Sequence, residues 1–200
     1  MTLLFVFGPP AVGKMTVGRA IADASDFRLF HNHHLLEPLL DVFDYGTPPF
    51  NRLLAEFRLR VLEEAAGSGA DIVYTLVWAL DLPEDSAYLR KHLRPFVDAE
   101  QPIAFLELYA DLDTRLVRNR TPYRLAEKKS KRNVEWSDGN VREMDRHVLN
   151  TGVRPTPADE LVAAYPHLRI DNTHRSPEDV AAEALTWVAA LDDVGSSLPG

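Results

Sequence analysis

The segment Gly8-Pro9-Pro10-Ala11-Val12-Gly13-Lys14-Met15-Thr16 has the spacing G-x-x-x-x-G-K, that of a loop that wraps phosphate groups. Its glycines let the backbone point N–H groups inward, and a lysine at the mouth reaches the outer phosphates of a triphosphate. The motif carries this meaning only between a strand and a helix. Both are present: residues 3–7 are continuously apolar, and a helical pattern begins at Lys14. Residues 8–16 are therefore the nucleotide-binding candidates.

One position departs from the motif. A Ser or Thr hydroxyl normally follows the lysine and ligates magnesium. Here Met15 stands, and a thioether is a poor ligand for a hard cation. Thr16 comes next, but its side chain is turned by roughly 100° along the helix. Mg2+ is then expected to be weakly held by protein, through phosphates, water and a carboxylate from elsewhere. Asp81 is one candidate, at the end of a strand where open parallel sheets bind ligands; a loop or capping role is the plain alternative.

Two further groups stand out. His31-Asn32-His33-His34 ends an apolar stretch, and on a strand His31 and His33 would share a face, which suits a metal if a third ligand arrives from elsewhere. Asn32 would point the other way and tie down backbone. The second group is basic: Arg115, Arg118, Arg120, Arg124, Lys128, Lys129, Lys131 and Arg132, opposed only by Glu127. In a chain of net charge −8 such a segment suggests a small polyanion held locally, or else a solvated helix face. The same net charge argues against general nucleic-acid binding.

The elements that would position these residues alternate between strand and helix. Strands are expected at 3–7, 27–31, 71–77, 103–109 and 168–171, and helices at 14–24, 33–43, 51–66, 83–98, 111–120, 141–149, 157–165 and 176–191. This pattern predicts a mostly parallel α/β sheet covered on both faces. Residues 121–139 are polar without clear period and read as a lid; 192–200 read as a loose tail. With 200 residues and 46% hydrophobic content, one compact domain is expected. The absence of cysteine points to a reducing, cytoplasmic compartment, and no signal peptide or membrane span is legible.

Residues 13–33, GKMTVGRAIADASDFRLFHNH, resemble the opening of P-loop small-molecule kinases of the shikimate-kinase and adenylate-kinase type, and the Thr-Val-Gly-Arg stretch at 16–19 is especially like shikimate kinase. The resemblance in layout covers most of the chain. It implies a nucleoside-monophosphate-kinase-like P-loop NTPase fold, a five-stranded parallel sheet in order 2-3-1-4-5, with an acceptor-binding insertion (33–66) and an ATP lid (121–139). It also implies ATP and a small-molecule acceptor. In shikimate kinase the second strand ends Asp-x-Asp, and those positions fall on His31 and His33. A neutral His33 could take a hydroxyl proton in place of a carboxylate; structural polar contacts are the alternative for both imidazoles. The Gly-Gly-Gly substrate motif is missing after strand three, where residues 76–81 read LVWALD, so shikimate is not the expected acceptor.

The resemblance further places Arg52 where an arginine grips an anionic acceptor, although a solvated helix residue fits as well. It places Arg118, Arg120 and Arg124 where lid arginines clamp the transferred group, with Arg120 and Arg124 the preferred pair. Asp171-Asn172-Thr173 would lie near the adenine. The expected activity is transfer of the γ-phosphoryl group to a small-molecule hydroxyl by a monomer or homodimer. The rival expectation is a nucleotide-binding module, or slow ATPase, without transfer.

Overall fold

The computed structural model describes residues 2–31, 33–121 and 134–196, with the side chains of 134–136 and 192–196 left aside. Five strands form one sheet: β1 (Leu3–Phe7), β2 (Arg28–His31), β3 (Ile72–Thr75), β4 (Ile103–Tyr109) and β5 (His167–Asp171). All pairings are parallel, in the order β2-β3-β1-β4-β5. The helices are α1 (Lys14–Asp23), α2 (His33–Leu40), α3 (Pro48–Ser68), α4 (Pro83–Asp98), α5 (Leu112–Asn119), α6 (Val134–Met144), α7 (Asp159–Ala163) and α8 (Pro177–Ser196).

Alternation along β1 divides the core. Leu3, Phe5 and Phe7 face Leu62, Leu89, Leu93 and Phe96 of α3 and α4. Leu4 and Val6 face Val17 and Ile21 of α1 and Val180 and Ala184 of α8. Each strand residue is thus apolar whichever way it points, as a central parallel strand requires. Gly18 is needed where α1 lies on the sheet: a Cβ there would stand 2.7 Å from Leu29 Cδ1 and 3.2 Å from Val73 Cγ1.

Several expected boundaries move. β3 stops at Thr75 rather than 77, because Leu76 still bonds the Val6 carbonyl but the chain then bends to bury Trp78. α3 begins three residues early, with prolines filling its first turn, where no amide hydrogen is required. The helix expected at 141–149 is displaced to Val134–Met144, so part of the anticipated lid is helical. The chain after it is a loop pinned by side chains: the Asp81 carboxylate accepts from the Val148 amide at 3.0 Å, and Leu80 N–H donates to the Val148 carbonyl at 2.7 Å. The tail is also shorter than expected. α8 runs to Ser196, since nothing in Asp192-Asp193-Val194 interrupts a helix. Residues 122–133 of the expected lid and 197–200 of the tail lie outside the described residues.

Candidate nucleotide and acceptor site

The loop after β1 is shaped by backbone that ordinary residues avoid. Gly8 has φ 132°, and a Cβ on it would meet the Leu108 carbonyl oxygen at 2.3 Å. Gly13 has φ 109° and opens α1. Between them Ala11 takes a φ of 63° and packs against Leu116 and Val141. The Lys14 ammonium donates to the carbonyls of Gly8 at 2.7 Å and Pro9 at 2.8 Å, so the lysine arches back over the loop. Met15 turns inward with 8% of its surface exposed, while Thr16 is half-buried on the next position of α1.

The far side of the loop is laced to α5 and to the turn after β5. Asn172 is buried; its side-chain amide donates to the Val12 carbonyl at 2.9 Å, and its backbone amide continues the sheet onto Tyr109. The Arg118 guanidinium donates to the carbonyls of Val12 (3.1 Å), Asn172 (2.7 Å) and Thr173 (3.2 Å). Asp171 is exposed and accepts from the Thr173 amide and hydroxyl, bonds that hold its carboxyl below its ordinary value. Among the described residues, Arg118 is therefore the arginine of the basic segment that reaches the phosphate loop.

Arg120 faces elsewhere. Its guanidinium lies on the Asp138 carboxylate of α6, which also accepts from Asn119 at 2.7 Å. Burial alone would raise the Asp138 carboxyl, but the bonds from Asn119 and Arg120 outweigh it and hold it low. Arg120 thus clamps α5 to α6 at the two ends of the expected lid. Arg124, its expected companion, lies outside the described residues.

On the opposite flank, His31 pairs with Thr75 and Thr75 with Val6. It therefore stands level with the end of β1, two strands away, roughly 10 Å across the sheet. His33 is not on the strand. β2 ends at His31 and His33 begins α2, so the two imidazoles do not share a strand face as expected; Asn32 lies outside the described residues. They still meet: the His33 amide donates to His31 Nδ1 at 3.1 Å, and the ring centroids are 6.4 Å apart. His34 packs on His31, with centroids 3.7 Å apart. Among the described residues no three His, Asp or Glu side chains are arranged to hold a metal ion.

Arg52 is exposed on α3, whereas Arg58 is buried and donates to the Tyr88 hydroxyl at 3.0 Å. Asp81 is spoken for: besides the Val148 amide it faces His147 at 3.4 Å and Arg154 at 3.5 Å. Burial would raise its carboxyl, but the bond from Val148 prevails and keeps it low.

A buried carboxylate escaped sequence reasoning. Glu107 on β4 is fully enclosed and accepts from Asn150 Nδ2 (2.8 Å), the Thr151 amide (2.9 Å) and hydroxyl (2.6 Å), and His167 Nε2 (2.9 Å). Desolvation opposes its charge, yet these donors hold its carboxyl below the ordinary value. The only sign in the sequence was an acid inside the apolar run of residues 103–109. A cavity of about 500 Å3 adjoins it, lined by residues including Arg154, Tyr165 and His167.

No family model and no curated protein matches the chain. Solved structures do. The shikimate kinase of Acinetobacter baumannii, in complex with shikimate, is 19% identical and overlays with TM-score 0.55 over 94% of this chain and 93% of its own. A gluconokinase from Sinorhizobium meliloti 1021 is 17% identical, with TM-score 0.55 over 98% of both chains. The tunicamycin resistance protein of Deinococcus radiodurans is 15% identical, with TM-score 0.52 over 94% of this chain and 96% of its own. At these identities the shared property is the fold. It is the nucleoside-monophosphate-kinase-like P-loop fold, with the sheet order expected from the sequence. No helix among the described residues is long and apolar enough to cross a membrane.

Proposed function

We propose that the chain is an ATP-dependent phosphotransferase that moves the γ-phosphoryl group to a hydroxyl of a small molecule. The observation that supports it most is the Lys14 ammonium folded onto the Gly8 and Pro9 carbonyls, at the mouth of a loop with two positive-φ glycines. Phosphoryl transfer needs positioning and charge neutralisation more than covalent chemistry. Residues 8–16 hold the phosphates and Lys14 follows the migrating group. Arg118, Asp171 and Asn172 border the base. His31 at the end of β2, with His33 and Arg52 in an acceptor-binding insertion at 33–66, faces the acceptor, and Arg120 and Arg124, at the mouth of a lid at 121–139, close over the reaction.

Mg2+ would neutralise the β- and γ-oxygens when bound. The fit for it is partial: Met15 offers a buried sulfur rather than an oxygen, and the Asp81 carboxylate is already occupied by the Val148 amide. Thr16, water and the phosphates are what remain. Met15 also supports a second reading, a nucleotide-binding module that transfers nothing.

Two measurements decide. Lys14→Ala should weaken calorimetric binding of ATP severely in a folded protein; unchanged affinity removes the assignment of the loop. A transfer screen, run beside a hydrolysis blank, should cover hydroxylated metabolites, nucleosides and antibiotics, given neighbours named for shikimate, gluconate phosphorylation and tunicamycin resistance. Tight ATP binding with no transfer and negligible hydrolysis favours the module.

A further inference from the structure

The contacts around β2 assign a proton to each of two imidazoles. His31 Nδ1 accepts the backbone hydrogen of His33 at 3.1 Å, so a neutral His31 carries its hydrogen on Nε2 and is a donor there. His33 Nδ1 lies 3.2 Å from Glu37 Oε1, one helical turn along α2. A carboxylate can only accept, so Nδ1 of His33 carries a hydrogen, and in the neutral ring its Nε2 carries the lone pair. The two rings are thus held in opposite senses, one a donor and one an acceptor, 6.4 Å apart between centroids. One oxygen atom with one hydrogen suits that arrangement.

We infer that Glu37 is the positioning residue of a carboxylate–imidazole dyad, with His33 as general base and His31 as hydrogen-bond donor to one alcoholic oxygen of the acceptor. This rests on the phosphotransferase reading and deepens it. An acceptor that is itself a phosphate is ionised and has no use for a base; an alcohol has. In the step, the alcohol proton passes to His33 Nε2 while its oxygen bonds to the γ-phosphorus. The bond from the γ-phosphorus to the β,γ-bridging oxygen breaks, and ADP leaves with the electron pair. The imidazolium that results is balanced by Glu37 and returns its proton to water. Glu37 and His33 are only 19% and 12% exposed, which strengthens that balance relative to a solvated pair. His34 also packs here, its ring against His31 and Phe30.

The test separates orientation from transfer. In the full chain, nitrogen-15 spectra should show neutral His33 protonated on Nδ1 and His31 on Nε2. In Glu37→Gln the side-chain amide can donate to Nδ1 and force the wrong tautomer, whereas Glu37→Ala only removes the partner. With an acceptor from the transfer screen, Glu37→Gln should lower kcat by about 10-fold or more, and by more than Glu37→Ala, with ATP affinity unchanged in both. A packing role alone would give the reverse order, because alanine removes more contact. Transfer that persists at full rate in Glu37→Gln, or His33 protonated on Nε2 in the wild type, overturns the dyad and leaves the kinase reading standing. The expected tautomers in a chain that transfers to no alcohol overturn both.

Discussion

Met15 shows how far a single residue can be read from its type. On the proposed function, a thioether in place of a hydroxyl predicts weak magnesium holding, and the structure adds that the side chain is buried beside the loop. Met15→Thr should therefore act twice. It should steepen the magnesium dependence of nucleotide binding, by supplying a hydroxyl where the phosphates lie. It should also destabilise the fold by about 1–3 kcal/mol, through lost burial and a cavity. Titrating ATP with and without Mg2+, beside a denaturant melt, checks both; unaltered metal dependence means that Met15 is not a deficiency. The loop was legible because its residues have few other uses at that spacing. Arg118, Arg120 and Arg124 were not separable in the same way. Three arginines within seven positions look alike in sequence, and only the fold shows that Arg118 meets Val12 while Arg120 meets Asp138.

At the scale of elements, the strands that the hydrophobic pattern could see are those buried on both faces, and β1 and β4 fall where expected. The misses share a cause. β3 is cut short by Trp78 turning into the core, and α6 begins early in a polar stretch whose partners are distant in sequence, such as Asn119 with Asp138. The interface of β3 with α4 was invisible too. There the Tyr74 hydroxyl lies 2.8 Å from His92 Nδ1, both groups deeply buried. Burial pushes the His92 imidazole down to about 4, with Arg58 adding to the effect. It is neutral in the folded chain and ordinary when unfolded, so its contribution is complete above pH 6.5 and lost as the pH falls toward 4. The shift corresponds to an acid penalty on the order of 3 kcal/mol. Denaturant melts between pH 7 and 4 should show His92→Phe less stable than wild type at neutrality, since Tyr74 loses its partner, but flatter with pH. Parallel curves for the two proteins would show that His92 does not carry the acid sensitivity.

Across the whole molecule, the two layers divide the work. α1 and α8 cover one face of the sheet, and α3 and α4 cover the other. α5 joins the phosphate loop to α6, presenting Arg118 to the first and Arg120 to the second. A triphosphate that draws Lys14 off the Gly8 and Pro9 carbonyls must disturb Val12, whose carbonyl takes bonds from both Arg118 and Asn172. The disturbance would then reach α6 from Arg118 to Arg120, at the end of α5, and across one guanidinium–carboxylate pair. Amide exchange should accordingly slow at residues 118–121 and 134–139 when ATP is added, along with the loop itself. Lys14→Ala should abolish the slowing at both places, because it removes the ligand's hold rather than the helix. The α3 and α4 amides serve as the internal control, since they pack on the other face and should change only when an acceptor is present as well. Equal exchange at 118–121 and 134–139 with and without ATP would make 121–139 a fixed structural segment, and would leave Arg120 as a brace between helices rather than a residue that closes over the phosphates.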